Sequence, residues 1–100
     1  MTIYVAGGSN SMQKHGWVKW LSRSQEQEIV NISVGSTCSV MGAYRALFTV
    51  SLQPGDTLVW EYALNDLNHL ERGYEASLLL PFVEYTIRHC LDAGCNFVPV

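Results

Sequence analysis

Three short segments of this 100-residue chain carry side chains suited to acyl-transfer chemistry. In Gly7-Gly8-Ser9-Asn10-Ser11, Ser9 offers a hydroxyl nucleophile. The glycines let the chain turn sharply at a strand end and present that serine at a helix start. Free N–H groups and the helix dipole there favour a developing oxyanion. The same five residues also suit an ordinary turn with an N-cap serine. In Asn31-Ile32-Ser33-Val34-Gly35-Ser36-Thr37, Gly35 marks a place where backbone can approach a ligand closely, or a routine strand-to-helix turn. In Asn65-Asp66, the amide of Asn65 can donate to an anionic centre and the Asp66 carboxylate can hold its loop by accepting backbone N–H groups. An Asx-turn with no chemistry has the same composition. Each segment is weak alone, so the question is whether the fold brings all three together.

The elements between them say that it does. Ile3 to Ala6 is a short apolar run stopped by glycine, and Ser11 to Ser24 carries Trp17, Trp20 and Leu21 at helical spacing. A second strand is expected over Glu28 to Ser33, then a helix bearing Met41, Tyr44, Leu47 and Phe48. Pro54-Gly55-Asp56 is a turn signal, and Thr57 to Tyr62 reads as a buried third strand. Leu64 to Gly73 is polar and is expected to be a loop. A long helix follows from about Tyr74 to Ala93, either starting near Pro81 or kinked there. Gly94 stops it, and Asn96 to Val100 begins a fourth strand. Alternating strands and helices imply an α/β fold, a three-layer α/β/α arrangement on a parallel sheet. Ligands bind such sheets beyond the carboxyl ends of the strands, where all three segments fall.

Composition narrows the function classes. The net charge is −3 and the basic residues are scattered, which argues against nucleic acid as a partner. No apolar run reaches the roughly 20 residues that span a bilayer, and the first residues read as a strand and not as a signal peptide. A cytoplasmic location and no membrane partner are the default expectations. The three cysteines are an odd count with no zinc spacing, so reduced, buried thiols and no metal or other cofactor are expected.

Taken together, the three segments resemble the SGNH (GDSL-like) hydrolase superfamily, over nearly the whole chain but in three of its four motif blocks. Gly7-Gly8-Ser9 is similar to the first block, Gly-Asp-Ser, with Gly8 in place of the aspartate. Asn31 to Gly35 is similar to the second block, and Ala63-Leu64-Asn65-Asp66 resembles Gly-x-Asn-Asp with Ala63 in place of the glycine. The resemblance implies a flavodoxin-like sheet and Ser9 as the nucleophile. It also implies an oxyanion hole from the backbone N–H groups of Ser9 and Gly35 and the side chain of Asn65, with Asp66 supporting. The family's fourth block, Asp-x-x-His, lies late in the chain. Asp66-Leu67-Asn68-His69 has that spacing, but Asp66 already belongs to the third block, so His69 is not expected to be the base. His15 and His89 are expected on helices away from the strand ends.

Residues 1–100 are thus expected to form the N-terminal part of one domain, with a C-terminal strand and helix and the histidine block absent, and to show only residual catalysis alone. An apolar strand ending the chain would leave an exposed edge. The expected substrate is a small-molecule or carbohydrate ester, such as an O-acylated sugar or polysaccharide, with the oligomeric state open. The alternatives are an inactive relative or a phosphate- or nucleotide-binding module, although no Gly-x-Gly-x-x-Gly or P-loop pattern is present.

Overall fold

Runs rich in β-branched and aromatic residues form the strands, as their fit to a pleated, half-buried surface requires. The computed structural model describes residues Met1–Val100. Its strands are β1 (Thr2–Gly7), β2 (Glu28–Asn31), β3 (Thr57–Glu61) and β4 (Asn96–Pro99), all parallel, in the order β2-β1-β3-β4. The chain leaves β1 toward β2 and then crosses to β3 on the other side. A crevice must therefore open between β1 and β3 at their carboxyl ends, the topological switch point of a flavodoxin-like sheet. The register aligns Gly7 with Glu61 and Val5 with both Val59 and Asn31, which brings the ends of three strands to one level.

The helices are α1 (Ser9–Met12), α2 (Trp17–Ser24), α3 (Ser39–Tyr44), α4 (Ala63–Glu71) and α5 (Ala76–Asp92), with a wider π-type turn over Arg45–Thr49 after α3. Strand residues alternate between the two faces of the sheet. Ile3, Val5 and Val59 pack with Val18 of α2, and Trp17, Leu21 and Ile29 border that cluster. Ala6, Leu58 and Trp60 face the other way, into a larger core with Tyr62, Ala43, Ala46 and Cys90 from the helical side. Apolar cover on both faces is what a parallel sheet needs, and it makes the three-layer α/β/α arrangement. All three cysteines are free and buried. No helix is long and apolar enough to cross a membrane.

The amino end of the sheet is held by one buried carboxylate. Asp56 accepts the Thr2 N–H at 2.8 Å through Oδ1 and the Gln53 N–H at 2.8 Å through Oδ2. Its own carbonyl accepts the Asn96 N–H at 2.9 Å. The turn that the Pro-Gly-Asp sequence announces thus ties the starts of β1, β3 and β4 together.

The elements depart from the sequence pattern in three places. The helix expected over Ser11–Ser24 is two helices, separated by a turn in which Gly16 N–H donates to Gln13 at 3.0 Å. His15 lies in that turn and not on a helix. The long helix begins at Ala76 and carries Pro81 inside it, on an exposed side. The third departure matters most: the polar stretch expected to be a loop is helix α4. Its leucines do not enter a core, so no apolar stripe announced it. Its first turn carries Asp66, which complements the helix dipole, and that carboxylate also anchors the helix elsewhere.

Candidate active site

The three segments meet at the carboxyl edge, and side chains that do no chemistry bind them to one another. The Asn31 side chain donates to the Ser11 carbonyl at 2.6 Å, and its own oxygen accepts the Ser33 N–H at 3.0 Å. That joins the first segment to the second. The buried Ser11 hydroxyl donates to Glu61 Oε1 at 2.7 Å, joining the first segment to the end of β3. Asp66 accepts both the backbone N–H of Ser39, at 2.8 Å, and the Ser39 hydroxyl, joining α4 to the start of α3. Each loop is therefore fixed to the other two. The bonds to Glu61 and Asp66 are charge-assisted and stabilise by about 1.5–3 kcal/mol each, about twice the neutral bonds of Asn31.

Inside this triangle lies a small polar pocket of about 150 Å³ lined by Ser9, Ser36, Asn65, Asn68, His69 and Arg72. Ser9 is exposed at the first position of α1. Because α1 is a single turn of four residues, its dipole is slight, and any stabilisation of an anion there rests on local N–H groups. Asn65 sits directly against the first segment. A Cβ on Gly8 would lie 2.6 Å from Asn65 Cγ, closer than atoms tolerate. Glycine at position 8, where the resemblance has aspartate, is what lets the Asn65 amide reach the backbone beside Ser9.

Gly35 lies beside Ser9 as well, since a Cβ there would be 3.9 Å from Ser9 Cβ and 3.5 Å from Met12 Sδ. The left-handed backbone of this loop falls at Ser36, with φ of 56°, and not at Gly35. A serine held there costs about 1 kcal/mol or more, a strain that the surrounding loops sustain at the pocket wall.

His69 stands in the pocket with Ser9. Its Nδ1 is 2.7 Å from the Asn65 carbonyl, one helical turn earlier, and its ring meets Tyr74 edge-on at 5.2 Å between centroids. A carbonyl only accepts, so Nδ1 is the donor, and in the neutral imidazole Nε2 is the nitrogen left to accept a proton. Asp66 is engaged with Ser39 and is not the partner of His69. The Asn65 main-chain carbonyl orients the ring. His89 lies on α5 and, like His15, is absent from the pocket wall.

Ser36, Asn68 and Arg72 fall in no recognised motif. The signal that finds the residues of α4 and its C-cap is spacing: positions 65, 68, 69 and 72 form one helical stripe once the segment is known to be a helix. Larger hollows lie elsewhere. One, between α2 and β2, contains Ser22, whose hydroxyl is engaged with the Lys19 carbonyl; another runs along α5 without a nucleophile, and a third, walled by apolar and aromatic side chains, lies between α3 and α5. No group of His, Cys, Asp or Glu residues is clustered closely enough to hold a metal ion.

No family model matches the chain, and no curated protein matches it.

Proposed function

We propose that the chain is a serine ester hydrolase in which Ser9 is the nucleophile. The observation that carries this reading is the pocket itself. Ser9, Asn65 and His69 come from segments more than 50 residues apart and line one small polar cavity at the switch point of the sheet. The resemblance to SGNH hydrolases supports Ser9 as the nucleophile; it places the family's base in a later block, so His69 as base departs from that expectation and rests on the pocket alone.

In the reaction, Ser9 Oγ attacks the acyl carbon and its proton passes to His69 Nε2. The transfer requires these two atoms within hydrogen-bonding distance, about 3 Å. The tetrahedral oxyanion is held by the N–H groups of Ser9 and Gly35 and by the Asn65 amide. Collapse expels the alcohol, which takes the proton from His69. Water then attacks the acyl-serine with His69 again as base, releasing the acid and restoring Ser9. The Asn65 carbonyl plays the orienting role that a carboxylate fills in the familiar triad.

A fluorophosphonate probe tests this directly. The 100-residue chain labels, Ser9→Ala does not, and His69→Ala labels more slowly by about 10²–10⁴, the usual worth of a general base. Equal labelling of Ser9→Ala and the parent, or none in a chain whose circular dichroism is native, overturns the assignment.

A further inference from the structure

Helix α4 is amphipathic the wrong way round for a helix serving only a core. Its polar stripe, Asn65, Asn68, His69 and Arg72, faces the pocket. Leu64, Leu67 and Leu70 are turned to the surface at 52%, 50% and 38% exposure. Apolar burial alone would rotate the helix about its axis. The bonds from Asp66 to Ser39 hold it in this orientation, with a cation at the far end of the stripe.

That cation is free of acidic partners. Arg72 makes no ion pair, the protein's single one being Arg88 with Glu84. In a chain with more acidic than basic residues, no carboxylate lines the pocket. Arg72 ends α4 with its N–H on the Asn68 and His69 carbonyls, so its backbone is fixed while the guanidinium keeps its donors. Arginine presents those donors as a planar fork that matches a carboxylate. A second hollow of about 300 Å³ adjoins the polar one through Ser36 and His69, and its other walls include Cys38, Val40, Met41 and Tyr74. The cleft therefore has an anion-accepting half and an apolar half, with His69 at the divide.

We infer that the substrate is an ester whose alcohol portion carries a carboxylate, of the kind found in an O-acylated uronic acid. The carboxylate pairs with Arg72 beside Asn68, and the acyl group occupies the apolar half against Met41 and Tyr74. The ester linkage rests on the hydrolase reading; the anion site rests on α4 alone.

Two measurements separate the parts. The first compares the acetyl ester of 4-hydroxybenzoate with that of the neutral 4-hydroxybenzamide. The ratio of kcat/KM favours the acid by about tenfold or more, the worth of one charged hydrogen-bonding pair, and falls to about one in Arg72→Gln. The second needs no turnover: methyl galacturonoside and methyl galactoside are titrated into labelled protein by NMR. The uronoside alone shifts the Arg72 Nε–H and Asn68 side-chain signals, and Arg72→Gln abolishes the response. Equal binding of the two sugars, binding of neither, or a preference that survives Arg72→Gln overturns the inference. Selective uronoside binding without Ser9-dependent turnover keeps the anion site and removes the hydrolase.

Discussion

The two ends of the parallel sheet are closed by different means. At the amino end, a single buried carboxylate, Asp56, gathers the starts of three strands through backbone groups. Both oxygens of that carboxylate are engaged with the chain itself. At the carboxyl end the joining is divided among Asn31, Ser11 with Glu61, and Asp66 with Ser39. That division leaves a ring of polar groups around Ser9 that take no part in joining the three segments. In the proposed function, stability and chemistry thus fall to different side chains on neighbouring positions. Asp66 fixes α4 to α3 while Asn65, one residue before it, stays available to a ligand.

The sharpest way to test that division is to remove a free group. Ser9→Ala should lower turnover of p-nitrophenyl acetate by 10⁴ or more, by analogy with single removals in serine-hydrolase sites. Its melting temperature should stay within the range of neutral surface changes, about 0.5 kcal/mol. A large loss of stability would mean that Ser9 belongs to the scaffold. Removing a joining group should do both kinds of damage. Asp66→Ala strips two hydrogen bonds from the buried Ser39, costing about 2–4 kcal/mol in urea unfolding, and releases α4, so turnover falls too. Full activity in a destabilised Asp66→Ala protein would separate α4 from the site.

At the amino end the damage should be to the fold alone, and pH should report it. The N–H groups of Thr2, first, and of Gln53 hold the Asp56 carboxyl below its ordinary value of 3.8 against the opposing effect of burial. A carboxylate whose pKa is lower in the folded state contributes stability above its unfolded pKa, and loses it as pH falls through the folded one. The melting temperature should therefore drop as pH falls below about 4, the ordinary range for aspartate. In Asp56→Asn that portion of the pH dependence should vanish while turnover per folded molecule is kept. An unchanged acid profile in Asp56→Asn would show that the clasp lies elsewhere.

The smallest expected effect concerns the core thiols. Burial, first, and the neighbouring Cys95 push the Cys90 thiol up to about 11, so little thiolate exists near neutrality. Cys90 should react with a disulfide reagent far more slowly in the native protein than in denaturant. Equal rates would mean that the larger core opens readily.

Much of this was legible in one dimension. The β-branched and apolar runs at Ile3, Ile29 and Leu58 marked the three strands, because burial on both faces leaves little freedom in residue type. Gly-Gly-Ser, Gly35 and Asn-Asp fell after those strands, so their convergence followed from the parallel topology. Helix α4 was illegible for a definite reason: it buries no apolar stripe, and hydrophobic periodicity is the signal by which helices are read. With α4 hidden, the Asn65-Asn68-His69-Arg72 stripe was hidden too. The orienting partner of His69 was equally out of reach, since a main-chain carbonyl has no letter in a sequence.

Ser9 shows where the boundary falls. Its residue type, and its place after the first strand, are properties of the chain order and were settled by the sequence. Its neighbours are not: Asn65 against Gly8, Gly35 in van der Waals range, and His69 and Arg72 across the pocket are set by long-range packing. Local sequence fixes which elements form, because propensity and turn chemistry act over a few residues. Which side chains share a cavity depends on how α4 is rotated, and only the bond between Asp66 and Ser39, 27 residues apart in the chain, decides that.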